Sequence, residues 1–170
     1  PGRITFGDMV LPQKVLLTTS RRPTSLMRTL CRDLARSIID IVRVNRGKLS
    51  LDGVAEKALE CAAEKVVIVD RWQGGPGKIQ LFKVRPDGLM SIPPIIFVSG
   101  IRLRREFGEA KSRRVGSLAM IVPSRSHERV FEVAEALSSF FNIPFLSMNE
   151  AVSRCNTAMH LSFDSKGRVQ

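Results

Sequence analysis

The chain has no tyrosine, one tryptophan, two histidines and three cysteines among its 170 residues. Each shortage excludes something. Without tyrosine, and with Trp72 alone, a platform of rings on which single-stranded nucleic acid stacks is poorly supplied. Cys31, Cys61 and Cys155 are odd in number and widely spaced, which suits neither a disulfide frame nor a zinc site. They read as buried thiols in a reducing compartment. His127 opens a helix and His160 lies in a strand, with no partner pattern around either, so both read as structural. No run approaches the ~18 apolar residues of a membrane-spanning helix, and no signal peptide is visible. A soluble, intracellular protein of the cytoplasm is expected. Acidic residues are scarce too, 16 against 27 lysines and arginines, for a net charge of +11.

That imbalance points to a polyanion, either nucleic acid or an anionic membrane surface. Arginine outnumbers lysine, which suits bidentate grips on phosphate more than plain solubility. Surface arginine of the thermophilic kind is the bland alternative. Apolar residues make up 44% of the chain, enough for a core.

The organising stretch is Lys14 to Ile39. Val15, Leu16 and Leu17 run into Thr18, Thr19 and Ser20 as a buried strand does. Pro23 suits a helix start, with Thr24 or Ser25 as the cap. Met27, Leu30, Cys31, Leu34 and Ile38 then recur at helical spacing, while Arg28, Arg32 and Arg36 form a stripe on another face. Asp40 to Val44 reads as a second strand, followed by a basic turn, Asn45 to Lys48. Ser50 caps a helix expected to reach about Glu64, with Leu51, Val54, Ala55, Ala58, Leu59 and Ala62 inward. Val66 to Asp70 is a strand buried on both faces. Trp72 to Lys78 is glycine-rich and Ile79 to Val84 alternates, which predicts a hairpin with a long loop. After the turn at Pro86 to Gly88, Ile95 to Ser99 is a strand. Arg102, Arg104, Arg105, Lys111, Arg113 and Arg114 then form the densest basic cluster.

From Gly116 the opening pattern returns. Leu118 to Val122 is a strand, and His127 to Phe141 a helix. Ile143 to Leu146 is a short strand, Asn149 caps a shorter helix, and Met159 to Asp164 is a last strand. Ser20-Arg21 matches Ser124-Arg125 in position, and Asp70 matches Asp164. The simplest reading is α/β, with two similar β-α-β-α-β halves from an internal duplication. Half 1 spans 14–85 and half 2 spans 95–164 of a single domain, with 1–13 as an irregular lead-in. The halves differ in charge. Where the first helix carries Arg28, Arg32 and Arg36, its counterpart carries Glu128, Glu132 and Glu135, so the first half should dominate any grip on a polyanion.

Catalytic constellations are missing from this pattern. Gly74 to Lys78 lacks the spacing and the following helix of a phosphate loop. No dinucleotide fingerprint follows a strand. Asp70 and Asp164 suit turn capping more than metal binding. No cofactor, metal or small-molecule substrate is expected, and no enzymatic activity. The turn Ser20-Arg21-Arg22-Pro23 has the better physical case. There a strand meets a helix N-terminus, whose free N–H groups favour an anion, and two arginines add donors. Arg28 and Arg32 extend it, with Arg46, Lys48, Arg102, Arg104 and Arg105 as further candidate RNA contacts. The competing reading is a solvated basic face paired with Asp33 and nearby acids.

KVLLTTSRRPTSLMRTLCRDLARSI resembles the opening of the Brix domain of ribosome-biogenesis proteins, and RGKLSLDGVAEKALECAAEKVVIVDRWQGGPGKIQLFKV and IFVSGIRLRREFGE resemble later Brix segments. The likeness covers about Lys14 to Asp164 and is similar to compact archaeal members. It implies two halves that each resemble the anticodon-binding domain of class II aminoacyl-tRNA synthetases. It also implies non-catalytic binding to rRNA or pre-rRNA during subunit assembly, with ribosomal proteins or other assembly factors as further partners. On matching positions it assigns RNA contact to Arg21, Arg22, Arg28, Arg46 and Lys48. The alternative is a protein-interaction scaffold within a ribonucleoprotein, its basic charge incidental.

Overall fold

A computed structural model describes residues 14–72, 75–108, 115–124, 126–165 and 168–170. The lead-in 1–13, and Lys111, Arg113, Arg114 and Arg125, lie outside the described residues. In chain order the elements are β1 (Lys14–Thr19), α1 (Ser25–Ser37), β2 (Ile41–Arg43), α2 (Leu51–Glu60), β3 (Ala63–Trp72), β4 (Gly75–Arg85) and β5 (Gly88–Phe97). A 3-10 turn (Arg104–Phe107) follows, then β6 (Leu118–Ile121), α3 (Glu128–Phe141), α4 (Met148–Arg154) and β7 (Thr157–His160). The mixed α/β class expected from the pattern is present.

The first sheet has the order β2-β1-β3-β4-β5, with β1 parallel to both β2 and β3 and the last two strands antiparallel. Every residue of β1 after Lys14 is buried because the sheet is covered on both faces. Val15 and Leu17 meet Met27 and Cys31 of α1 and Val67 and Val69 of β3. Leu16 faces the other way, onto Val54 and Ala58 of α2. The first cluster continues into Leu118 and Met120 of β6 and Ala134, Leu137 and Phe140 of α3. In the second, parallel sheet Ala119 and Ile121 turn the opposite way, onto Ala151 of α4. One core therefore runs between α1 and α3, with α2 and α4 on the outer faces.

Several local expectations change. Helix α2 stops at Glu60, short of Glu64, and Ala62 takes a left-handed conformation (φ 52°) instead of an inward helical one. Pairing decides this, since β3 meets β1 as early as Ala63 and Lys65. Only Val54, Ala55 and Ala58 of the helix reach the sheet, so Leu51 and Leu59 are 47% and 62% exposed. The loop expected over Trp72 to Lys78 is strand from Gly75 on, where Gly75 pairs with Trp72, and Gln73 and Gly74 lie outside the described residues. Between the pairs Asp70–Lys78 and Arg71–Pro76, Gly77 is the extra residue, and a Cβ there would stand 2.5 Å from Trp72 Cβ.

The strand expected over Ile95 to Ser99 is the end of β5, which starts at Gly88 beside β4. The strand expected over Ile143 to Leu146 shrinks to one bridge between Phe145 and Met120. Pro144 has no N–H to extend a ladder. Helix α4 is capped by Ser147, not Asn149, because Ser147 and Glu150 satisfy each other's backbone N–H groups in a capping box. The last strand ends at His160, and Phe163 forms a separate antiparallel bridge with Val169.

Candidate nucleic-acid interface

Parallel strands bring their C-terminal ends, and the turns that leave them, to one side of a sheet. The chain runs from β1 to β2 on one side of β1, then returns to β3 on the other. At such a switch point the strand-end loops diverge and leave a crevice, where open α/β sheets hold ligands. Here a cleft of about 280 Å³ opens there, lined by Arg21 and Pro23 of the first turn, Arg28 and Cys31 of α1, Arg43 of β2 and Asn45 and Arg46 of the second turn.

Two of these arginines are tied to the same atom. The Nε–H of Arg21 donates to the Leu49 carbonyl at 3.3 Å, and that of Arg46 donates to it at 3.2 Å. Both guanidiniums are thereby held at one place, with their terminal amino groups left for another acceptor. Burial, and then the neighbouring Arg21 charge, push the Arg46 pKa below its ordinary value, while Asp70 pulls it back. Among the described residues the ion pairs are Lys57–Glu60, Lys78–Asp70 and Arg168–Asp164, and none involves Arg21, Arg28, Arg43 or Arg46. Like charges gathered without an ion pair, with only the pull of Asp70 on Arg46, are relieved by an anion from outside, and phosphate oxygens match the geometry of guanidinium donors.

The structure thus brings Arg21, Arg28 and Arg46 together. Arg22 and Lys48 are exposed on the same two turns but do not line the cleft. Arg32 is exposed one turn further along α1, with Arg36 beyond it, so the helical stripe leads away from the cleft. Arg102, Arg104 and Arg105 are not in the cleft either. Leu103 is buried, the Arg104 backbone N–H donates to Asp33 Oδ2 at 3.2 Å, and Arg102 lies over the Phe107 ring at 4.6 Å. Asp33 thus anchors this segment on α1 and forms no ion pair with the helix's own arginines. Arg43 is a cleft residue that no motif marked, and Asn45 was marked only as the start of a basic turn. The usable signal was positional, since both sit where a short strand parallel to β1 ends.

The other candidates behave as local structure. His127 caps α3 through Nδ1, which accepts from the Arg129 N–H at 3.3 Å. Asp70 Oδ1 accepts from the Arg71 N–H at 2.8 Å, and Asp164 Oδ2 pairs with Arg168 at 2.6 Å. Among the described residues no group of three or more His, Cys, Asp or Glu is placed to hold a metal ion, and no helix is long and apolar enough to cross a membrane.

Comparison with known proteins decides the family. The chain is 31% identical over 134 residues to a probable Brix domain-containing ribosomal biogenesis protein of Methanopyrus kandleri, covering 76% of this chain and 67% of that protein. It is 30% identical over 139 residues to the protein of the same name in Pyrobaculum aerophilum, covering 82% and 74%. The chain belongs to the Brix family. A protein of that name in Aeropyrum pernix is 35% identical over 94 residues, where the match spans half of the relative's length. Among solved structures, this Brix chain superposes on a probable ribosomal biogenesis protein from Aeropyrum pernix with a TM-score of 0.75 at 25% identity, covering 92% of this chain and 86% of the other. Mil, an archaeal Imp4-like protein, shares the fold at a TM-score of 0.56 and 22% identity, covering 89% and 81%. No protein-family model matches the sequence. The relatives are named for ribosome biogenesis and not for a reaction.

Proposed function

We propose that this Brix protein is a non-catalytic assembly factor that binds rRNA or pre-rRNA through its first half, in the cytoplasm, with Arg21 and Arg46 as the central contacts. The observation that carries this reading is the pair of guanidiniums tied to one carbonyl at the mouth of a cleft, beside Arg28 and Arg43 and without a paired carboxylate. Arg22, Arg32 and Lys48 extend the basic surface on either side, and Arg102, Arg104 and Arg105 add charge on the segment docked to α1. The excess of positive charge supplies the long-range attraction.

We also infer that the two halves descend from one duplicated unit of the anticodon-binding type. In its support, β6 lies between β7 and the bridge at Phe145, all parallel, as β1 lies between β3 and β2.

Titration of purified protein against structured rRNA fragments, over a salt series and with tRNA as competitor, tests the site. Reversing charge with Arg21→Glu and Arg46→Glu should weaken binding at least about tenfold, since a hydrogen bond to a charged group contributes roughly 1.5–3 kcal/mol. The salt dependence should flatten, and circular dichroism should stay unchanged. Unaltered affinity in the folded double variant rejects the assignment.

A second reading, a protein-interaction scaffold, is favoured by a different feature. A groove of about 690 Å³ lies between β5 and α3, lined by Ile95, Phe97, Val133, Leu137 and Leu161. A partner retained at high salt after nuclease treatment would support it.

A further inference from the structure

We infer that the cleft takes one unpaired nucleotide, with its phosphate between Arg21 and Arg46 and its base against the floor. This rests on the RNA-binding reading and says which part of an RNA enters. A duplex presents a convex backbone, which asks for an open row of cations. Arg21 and Arg46 instead stand on a recess of about 280 Å³, near the lower limit of roughly 300 Å³ for small-molecule sites. It has room for one compact group.

The surfaces inside favour a base over a second phosphate. Pro23 and Val44, both half-buried, contribute apolar surface above the fully buried Cys31. A phosphate gains nothing from such a wall, whereas the face of a base loses little water on meeting it. With each Nε–H engaged by Leu49, the terminal amino groups of Arg21 and Arg46 remain for phosphate oxygens. Arg28 and Arg43 add charge for flanking phosphates, and the Asn45 amide offers both a donor and an acceptor to a base edge. In an A-form helix the bases are stacked and the deep groove is too narrow for side chains, so the nucleotide must be unpaired. A bulge and a chain end supply the same chemistry.

Four RNAs built on one stem test this with the unaltered full chain at matched salt: fully paired, with a one-nucleotide bulge, with an abasic bulge, and with a one-nucleotide overhang. The abasic bulge keeps the phosphate and removes the base. The nucleotide bulge or the overhang should bind about tenfold more tightly than the paired stem and the abasic bulge, a difference of about 1.4 kcal/mol, and which of the two binds identifies the source. The comparison of the bulge with its abasic counterpart, and of the overhang with the paired stem, decides. Equal affinity for nucleotide and abasic bulges, together with an overhang no tighter than the paired stem, overturns the inference while leaving RNA binding in place. No binding to any of the four removes the RNA-binding reading itself.

Discussion

Cys31 shows how one residue serves both core and cleft. It packs with Val15, Leu17 and Met27, and it also lines the recess between the arginines. Burial pushes its thiol up to about 11, with Arg43 pulling the other way. The sign of the consequence follows from linkage. Between about 9 and 11 the folded chain keeps a proton that the unfolded chain has lost, so stability is full below that window and falls as pH rises through it. Thermal midpoints measured across this window should decline, and Cys31→Ala should decline less steeply. Equal slopes would show that the thiol does not carry the effect. At this scale the sequence was informative about Arg21, Arg28 and Arg46, whose charge sits beside strand and helix ends. It was silent on Arg43, which in the run DIVRV looks like one polar residue of an alternating strand.

At the scale of elements, the expectations that failed did so where pairing or capping outweighed a helical or strand pattern. Helix α2 has apolar residues through Ala62, yet β1 and β4 claim the chain from Ala63 onward. Ala62 absorbs the reversal with a left-handed φ of 52°, a conformation that costs a residue with a side chain roughly 1–2 kcal/mol. Ala62→Gly should therefore stabilise the fold by up to about 1 kcal/mol, part of the gain being lost to the greater freedom of the unfolded chain. Urea denaturation reads this directly, and a lower midpoint at unchanged slope would refute it. The capping box at Ser147 and Glu150 was written in the sequence as Ser-x-x-Glu, but the neighbouring Asn149 competes for the same role by composition alone.

For the whole molecule, the decisive feature is that α1 and α3 share a core. Val15, Leu17 and Cys31 lie in one buried cluster with Met120, Leu137 and Phe140, far away in sequence. Lys65 of β3 adds a polar tie, donating to the Phe140 carbonyl at 2.7 Å and the Ser139 carbonyl at 3.2 Å at the end of α3. A cation suits the carbonyl end of a helix, and burial lowers the Lys65 pKa. Cooperative unfolding is the expected result. Leu137→Ala should cost about 2–5 kcal/mol and should lower hydrogen-exchange protection in β1 and β3 as much as in β6. Loss of protection confined to the second half would show that the halves unfold separately.

The sequence by itself determined the order of strands and helices through β3, the faces of α1, the acidic character of α3 and the excess of arginine, because those follow from local periodicity, turn residues and charge. Its short apolar runs also carried enough of the family pattern to point to Brix. Only the tertiary structure decided which basic residues meet. Arg21 and Arg46 are brought to the one Leu49 carbonyl by parallel pairing of β1 with β2, while Arg102 and Arg105 are carried elsewhere by a segment anchored at Asp33. Local patterns say what each stretch is, but the registry of distant strands sets which charges share a cleft.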